Sequence, residues 1–384
     1  MLAHEEPIYI DHNATTPLLP EVVDAMLPFL RTDFGNPSSS HPWGRRAREA
    51  VETARERVAR LVHAEVDEIF FTSGGTEANN LAIRGTTASS PRRHVVTTVI
   101  EHPATAHPCR HLEQHGWRVD WIGVDSHCRV RVDELARILG DDTALVTVIH
   151  ANNETGTLQP VADIAALARR HGALVHADAA QSVGKIAVNV SALAVDLLSI
   201  AGHKLNAPKG VGALYVRRGT PIQAFSLGAG HERGLRPGTE NVASIVGLGV
   251  ACASIEATLA SRTQHLRELR DRLFGLLAAG IPGAKVNGHA SEQLPNTLSI
   301  RFPRARGTAV LDAAPEVAAS TGSACHEGHE SASSVLLATG LDADDALGTV
   351  RLSVGTTTTA EEIERAAAAL VRAWSTVSRA GAAP

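Results

Sequence analysis

The segment Ala173-Leu-Val-His-Ala-Asp-Ala-Ala-Gln181 is an apolar run that closes on an aspartate and a glutamine. The next apolar run, Asp196-Leu-Leu-Ser-Ile-Ala201, is followed directly by Gly202-His203-Lys204. Short and nearly continuous apolar runs are typical of buried strands in a parallel sheet. Because open α/β sheets bind ligands at the carboxyl ends of their strands, the sequence predicts that Asp178 and Lys204 meet at one such edge.

An aspartate and a lysine at neighbouring strand ends are the pair that pyridoxal phosphate requires. The lysine amine forms a Schiff base with the aldehyde, and the aspartate keeps a proton on the pyridine nitrogen, so that the ring accepts electrons. A single lysine after a strand is most often a surface residue. With Gln181 and His203 beside Asp178 and Lys204, the pattern favours a cofactor site.

Strand-like and helical segments alternate through the first two thirds of the chain. Further strands are expected at 68–72, 93–99, 143–149 and 212–216, and helices at 41–63, 76–83 and 161–170. This alternation predicts an α/β fold with a mostly parallel central sheet and helices on both faces.

The pattern changes from about residue 242. A long helical stretch runs to about 279, and strands at 296–302 and 349–354 and a helix at 361–374 follow. We therefore expect a large cofactor-binding domain at 15–255, and a smaller α+β domain formed by 1–14 and 256–384.

The composition excludes several classes of protein. The chain has 384 residues, of which 44% are hydrophobic, and its formal net charge is -5, which predicts neither a nucleic acid nor a membrane surface as partner. We find no signal-peptide pattern and no uninterrupted apolar run of about 18 residues. Four scattered cysteines without CxxC spacing predict no disulfide framework. A soluble, cytoplasmic protein is expected.

Three further motifs follow predicted strands. Thr72-Ser-Gly-Gly-Thr76 could be only a tight turn, but its glycines and the helix that follows suit a phosphate, with Gly75 and Thr76 as ligands. His102 is either a solvated loop residue or an imidazole that stacks on the cofactor ring and moves protons. Asn153 is either a turn residue or an amide donor to the cofactor or to a substrate carboxylate.

Arg351 lies in a predicted strand of the smaller domain. An arginine in this position is usually solvated or paired with an acid, but its planar fork also suits the carboxylate of an amino-acid substrate.

The stretch Thr321-Gly-Ser-Ala-Cys325-His-Glu-Gly-His329 is rich in small residues. It is either a surface loop with an incidental cysteine or the carrier of a nucleophilic thiolate. A metal site at Cys325, His326 and His329 would match no standard spacing, so no metal is expected. The other cysteines, Cys109, Cys128 and Cys252, are expected to be structural.

Taken together, these motifs resemble the cysteine desulfurases of the class V aminotransferase group, within the fold type I pyridoxal-phosphate enzymes. The matching stretches are Tyr9-Ile-Asp-His-Asn-Ala-Thr-Thr-Pro17, Phe34-Gly-Asn-Pro37, Thr72-Ser-Gly-Gly-Thr-Glu77, Glu101-His102, Asn152-Asn-Glu154, Asp178-Ala-Ala-Gln181, Gly202-His-Lys204, Arg236-Pro-Gly-Thr239 and Thr321-Gly-Ser-Ala-Cys325. They run nearly from end to end of the chain.

The resemblance implies a role for each candidate residue. Lys204 would bind the aldehyde of pyridoxal 5'-phosphate, and Cys325 would accept sulfur. The remaining residues implied to bind the cofactor are Gly75, Thr76, His102, Asn153, Asp178, Gln181 and His203, with Thr239 from the partner subunit of a homodimer. Asn153 and Arg351 would hold the substrate carboxylate.

The implied activity is conversion of L-cysteine to L-alanine with a persulfide on Cys325. The sulfur would pass to an acceptor or scaffold protein for iron–sulfur cluster assembly or thio-modification. Two departures are visible. Ala201 stands where many bacterial members have a serine that contacts phosphate, and Cys325-His-Glu-Gly-His329 is similar to selenocysteine lyases. Pro103 stands where those lyases have an acidic residue, which argues against that function. Selenocysteine lyase is therefore kept as the alternative rather than the first choice.

Two further alternatives are an aminotransferase or β-lyase, which would need no cysteine nucleophile, and a non-catalytic scaffold that recruits sulfur acceptors. The loop around Cys325 argues against the first. The intact set of Lys204, Asp178 and Cys325 argues against the second.

Overall fold

The computed structural model of the protein describes residues 6–322 and 331–380. The strands are β1 (Ile8–Tyr9), β2 (Ile69–Thr72), β3 (His94–Thr98), β4 (Arg118–Ile122), β5 (Thr143–Ile149), β6 (Leu174–Asp178), β7 (Leu197–Ala201), β8 (Gly212–Val216), β9 (Lys285–Val286), β10 (Thr297–Arg301), β11 (Val317–Ala318) and β12 (Thr349–Ser353). The α-helices are α1 (Pro20–Arg31), α2 (Pro42–Val62), α3 (Gly75–Ala88), α4 (Pro103–Gln114), α5 (Val132–Ile138), α6 (Val161–Arg170), α7 (Val190–Leu193), α8 (Val242–Gly280), α9 (Gly307–Asp312), α10 (Ser334–Ala338), α11 (Ala343–Leu347) and α12 (Ala360–Ala380).

Within these residues, a seven-stranded sheet with the order β2-β8-β7-β6-β5-β3-β4 forms the centre of the molecule. Strand β8 is antiparallel to both of its neighbours, and the other strand pairs are parallel. The predicted α/β architecture with a mostly parallel sheet is confirmed. Strands β5 and β8 and helix α6 have the bounds that the sequence predicts.

Helices cover both faces of this sheet because successive strand residues point to opposite sides. Val95 and Leu145 join the core under α3 and α4. Their neighbours Val96 and Val146 join the core under α2, α6 and α8. Since both faces are buried, the strand sequences are continuous apolar runs rather than alternations of apolar and polar residues.

A second group of strands forms a separate hydrophobic core. Antiparallel strands β12, β10 and β9 form one small sheet, and β1 pairs in parallel with β11. Ile8 and Ile10 from the N-terminal segment pack in this core with residues of α8, β10, β12 and α12. The division into 15–255 and 1–14 with 256–384 stays a prediction, and we propose it from this distribution of the cores.

Helix α8 serves both cores. Its residues up to Ile255 pack with the central sheet, and those from Leu266 onward pack with the smaller core. By length and composition alone it is apolar enough to cross a membrane, and half of its most apolar stretch is buried inside the protein. Its apolar character is accounted for by packing against α1, α2 and α12.

Strand β4 and helices α1 and α4 are among the elements that were not predicted. Strand β4 lies at the sheet edge and is only partly buried, so its apolar signal is weak. Helix α4 contains Pro108 and polar residues, but it begins with Pro103 at its first position after a capping His102. A proline at that position is a known helix-start signal, which could have located α4.

A buried ion pair anchors the loop between β8 and α8. Glu232 accepts hydrogen bonds from Arg55 Nη1 at 2.7 Å, Arg55 Nη2 at 2.8 Å and the Phe71 backbone N–H at 2.7 Å. Glu232 and Arg233 have positive φ angles of 44° and 52°, which non-glycine residues seldom adopt. The three hydrogen bonds hold this unfavourable turn in place.

We expect Glu232→Gln to lower the free energy of unfolding by about 3 kcal/mol, because the Arg55 charge loses its buried partner. Chemical denaturation measures the change. Asp133→Asn is the matched control, since its pair with Arg137 is exposed and surface pairs are worth at most about 1 kcal/mol. Equal effects of the two variants would contradict this prediction.

Candidate active site

A cavity of about 1260 Å³ opens at the carboxyl edge of strands β3, β5, β6 and β7. The N-terminus of α3 forms part of its wall, and Asp11, Asn13 and Arg351 close it from the side of the smaller core. We refer to it as the central cavity. The predicted site residues that line it are Gly75, Thr76, His102, Asn153, Asp178, Gln181, His203, Lys204 and Arg351.

Asp178 ends strand β6 and is only 3% exposed. Its Oδ2 accepts a hydrogen bond from Asn79 Nδ2 at 2.6 Å, and its Oδ1 accepts one from the Ala180 N–H at 3.0 Å. Asn79 Nδ2 is also 3.1 Å from Thr105 Oγ1. Sequence reasoning missed Asn79. It lies one helical turn after Gly75 on α3, so helical spacing from the glycine turn could have found it.

Lys204 follows strand β7 in a short 3-10 turn, Gly202–Lys204. Its Nζ donates hydrogen bonds to the backbone carbonyl oxygens of Asn13 at 2.5 Å and Ala14 at 2.7 Å. Burial, aided by the positive charge of Arg351, lowers the pKa of this amine from 10.5 to about 8. About a tenth of the amine is therefore unprotonated at pH 7 and available as a nucleophile or base, far more than for an ordinary lysine.

The glycine turn before α3 forms a cradle for an anion. Gly74 has a φ angle of 147°, which L side chains rarely adopt. A Cβ atom on Gly75 would lie 3.2 Å from Ala201 Cβ, so glycine keeps this turn close to the end of β7. The first N–H groups of the 14-residue helix have no partner within the helix. Together these features suit a phosphate.

His203 lies beside this cradle in a neutral form. Its Nδ1 is 3.2 Å from Thr15 Oγ1, and burial together with the Lys204 charge lowers its pKa to about 4. Its contribution to an anion site would therefore be a hydrogen bond rather than a charge.

His102 caps helix α4 and faces the central cavity. Its Nδ1 accepts a hydrogen bond from the Ala104 N–H at 3.1 Å, so the neutral ring carries its proton on Nε2. Burial lowers the pKa of His102. Burial also raises the pKa of the adjacent Glu101 to about 8, while its Oε1 accepts hydrogen bonds from Thr98 Oγ1 and the Ile149 N–H.

Arg351 reaches the cavity from strand β12. Its Nη2 lies 2.7 Å from Asp11 Oδ1, and its Nη1 donates to the Asn153 backbone carbonyl at 3.2 Å. Its Nε is buried and has no hydrogen-bond partner among the described residues. The guanidinium is thus held by two neighbours at the wall of the central cavity.

Asn13 connects the two sides of the site, and sequence reasoning assigned it no role. Its backbone oxygen accepts hydrogen bonds from Lys204 Nζ and from Gln181 Nε2, the latter at 3.0 Å. Its Nδ2 donates to Thr297 Oγ1 at 2.9 Å, and its Oδ1 accepts from Asn296 Nδ2 at 3.1 Å. Asn13 lies within the family-like stretch from Tyr9 to Pro17, which could have marked it as a candidate.

Two predicted residues are not among those that line the cavity. Thr239 is exposed and does not line the central cavity of its own chain. Cys325 lies outside the described residues, as do His326 and His329. Among the residues described, no group of three or more His, Cys, Asp or Glu side chains is placed to hold a metal ion.

The described cysteines, Cys109, Cys128 and Cys252, are buried and free. Burial raises the pKa of each thiol to about 12. These three therefore remain thiols near neutral pH, as expected of structural cysteines.

The cavity fits pyridoxal 5'-phosphate. It combines a buried carboxyl group at Asp178, an amine of lowered pKa at Lys204 and a glycine cradle at a helix N-terminus. These are the partners that the pyridine nitrogen, the aldehyde and the phosphate of that cofactor require.

Comparisons with known proteins agree with this geometry. The family model "Aminotransferase class-V" matches residues 8–366. A cysteine desulfurase of Nostoc sp. is 46% identical over 93% of this chain and 90% of its own length. A solved "NIFS-LIKE PROTEIN" has a TM-score of 0.90 at 36% identity and covers 96% of this chain and 100% of its own. "SspA in complex with cysteine" has a TM-score of 0.81 at 33% identity and covers 91% and 99%.

The lowered pKa of Lys204 can be measured in the cofactor-free protein. We expect acetylation of Lys204 to reach half its maximal rate at a pH of about 8, compared with about 10.4 for an ordinary lysine amine. The reason is that only the deprotonated amine reacts. Mass spectrometry of peptides labelled at a series of pH values measures this profile, with an unstructured lysine peptide as internal standard. Matching profiles for Lys204 and the standard would contradict the prediction.

Proposed function

We propose how this chain, which belongs to the cysteine desulfurases of the class-V aminotransferase family, takes sulfur from L-cysteine and releases L-alanine. The observation that carries the proposal is that Asp178, Lys204 and Gly75 line one cavity, which residues on both sides of the Cys325 segment also line. Ser320 and Gly322 precede the undescribed residues, and Ser331 and Ser333 follow them.

Desulfurase is favoured over the selenocysteine lyase alternative. Relatives named cysteine desulfurase, from cyanobacteria and other sources, are 41–46% identical to this chain and match nearly its full length. The likeness of the Cys325-His-Glu-Gly-His329 stretch to selenocysteine lyases is confined to a few residues of one loop.

Pyridoxal 5'-phosphate, when bound, supplies an electron sink that stabilises negative charge at the substrate Cα. Asp178 would hold the proton of its pyridine nitrogen, with the carboxylate oriented by Asn79. Gly75, Thr76 and His203 would bind the phosphate, Gln181 the ring oxygen, and His102 would stack on the ring. Thr239 of a second subunit would complete the phosphate site.

The substrate would be bound by its carboxylate and activated by Lys204. Arg351 and Asn153 lie at the cavity wall, and Arg351 is held in place by Asp11. Lys204 would bind the cofactor aldehyde and, when released by the substrate, would remove the Cα proton. Its pKa of about 8 suits an amine that must lose and regain a proton near neutral pH.

Cys325 would accept the sulfur. Its Sγ attacks the substrate sulfur, so that an S–S bond forms and the Cβ–S bond breaks. The electron pair left on the substrate is protonated, so that cysteine and a thiol become alanine and a persulfide. Gly322, which shortly precedes Cys325 in the chain, lines the cavity. The other three thiols are buried, which leaves Cys325 as the candidate.

The proposal extends to partners and compartment. Thr239 is exposed and lies outside its own cavity, which supports a homodimer in which each subunit serves the other's phosphate. A persulfide needs an acceptor or scaffold protein, with iron–sulfur cluster assembly or thio-modification as its destination. Free buried cysteines suit a reducing cytosol.

The activity is tested by incubating the holoenzyme with L-cysteine and a reductant. We expect several equivalents of alanine and sulfide per active site, and loss of turnover in Lys204→Ala, because that variant lacks the amine that moves the Cα proton. Selenocysteine is assayed in parallel. Turnover of selenocysteine without any turnover of cysteine would show that the enzyme is a selenocysteine lyase and not a cysteine desulfurase.

The nucleophile is tested with Cys325→Ser. We expect this variant to retain the visible absorbance of the cofactor and its change on addition of cysteine, but to form no persulfide, because Lys204 performs the proton transfer independently of the thiol. Cys252→Ala is the matched control, since that cysteine is buried in α8. Sulfide release by Cys325→Ser at the wild-type rate would show that Cys325 is not the acceptor.

A further inference from the structure

Lysine is rare in this chain. Only four of its 36 basic residues are lysines, at positions 185, 204, 209 and 285. Lys209 and Lys285 are exposed. Lys185 is 4% exposed, and it lines the same small internal void of about 10 Å³ as Lys204. An arginine is always charged in proteins, whereas a lysine can be buried as a neutral amine. The core position of Lys185 therefore calls for an explanation.

The surroundings of Lys185 suit an uncharged amine. Its Nζ donates to Gln181 Oε1 at 2.7 Å and to Asn13 Oδ1 at 2.8 Å. A neutral amine has two N–H donors, which these two oxygens match. Burial and the nearby charges of Lys204, Arg351 and Arg262 lower its pKa well below 10.5. Among the described residues, no carboxylate forms an ion pair with it.

We propose that Lys185 is a positioning residue that orients the Gln181 carboxamide and, through Asn13, the amine of Lys204. A carboxamide can turn over and exchange its donor for its acceptor. Lys185 holds Oε1 of Gln181, so Nε2 remains on the side of the Asn13 backbone oxygen and the central cavity. That same oxygen accepts the hydrogen bond from Lys204 Nζ.

The side chain can be changed without loss of the turn that carries it. The Lys185 N–H donates to the Ser182 carbonyl at 3.1 Å, and its own carbonyl accepts from Thr263 Oγ1 of α8 at 2.8 Å. These backbone contacts remain in Lys185→Met, which keeps an unbranched side chain of similar length and removes only the donors.

This inference rests on the proposed function, because it concerns how Lys204 and Gln181 meet the cofactor. The test compares holoenzymes of the wild type, Lys185→Met, Lys185→Gln and Lys209→Met. Three quantities are measured: kcat and KM for L-cysteine, the pH midpoint of the visible absorbance change, and the Tm. Lys209→Met is the matched control, since it removes an exposed lysine of the loop after Lys204.

For Lys185→Met we expect kcat to fall about 10- to 100-fold, because a misplaced amine loses its reactive geometry. KM should change by less than about threefold, since the carboxylate site is intact. The absorbance midpoint should move to higher pH by about half a unit or more. The reason is that the Gln181 amide would no longer be fixed as a donor to the cofactor oxygen, whose charged form that hydrogen bond stabilises. Lys185→Gln should restore part of both changes, and Lys209→Met should leave all three quantities as in the wild type.

A Lys185→Met enzyme with wild-type kcat and wild-type absorbance midpoint would overturn the inference. If its Tm were lower all the same, Lys185 would be merely structural. If Lys185→Met does not fold, Lys185→Leu takes its place with the same readouts, since it also lacks the donors. A wild type that produces no alanine would refute the proposed function instead, so the two failures are distinguishable.

Discussion

The backbone oxygen of Asn13 is the point at which the parts of the active site meet. It accepts hydrogen bonds from Lys204 and Gln181, which follow two neighbouring strands, while the Asn13 side chain bonds to Thr297 and Asn296 of the smaller core. Buried polar groups are costly when they lack partners, so each donor here requires this segment in one position. The N-terminal segment that carries Asn13 therefore forms part of the wall of the central cavity.

Burial and charge act together to set the protonation states in the cavity. Burial, with nearby positive charges, lowers the pKa of Lys204 to about 8 and that of His203 to about 4, and burial raises that of Glu101 to about 8. Amines and imidazoles are thus shifted toward their neutral, nucleophilic forms. Such an environment suits chemistry in which one lysine must exchange a proton during each turnover.

The two cores contribute different residues to the central cavity. The central sheet supplies the strand ends that carry Asp178 and Lys204, and the smaller core supplies Arg351 on β12. Helix α8 contributes to both cores and links them through continuous backbone. The central cavity is therefore lined by residues of both parts of the chain.

Local sequence patterns were enough to predict the sheet, because strands buried on both faces must be apolar throughout. They also predicted that Asp178 and Lys204 meet at one edge, because Asp178 ends one such strand and Lys204 follows shortly after the next. They assigned no role to Asn79, Asn13 or Lys185. Gln181 is four positions from Lys185, but the contacts of these residues with one another and with Asp178 join distant parts of the chain and become visible only in the fold. It brings Asn79 to Asp178 and Asn13 to Lys185 across 99 and 172 positions, and no local pattern encodes a hydrogen bond between such distant residues.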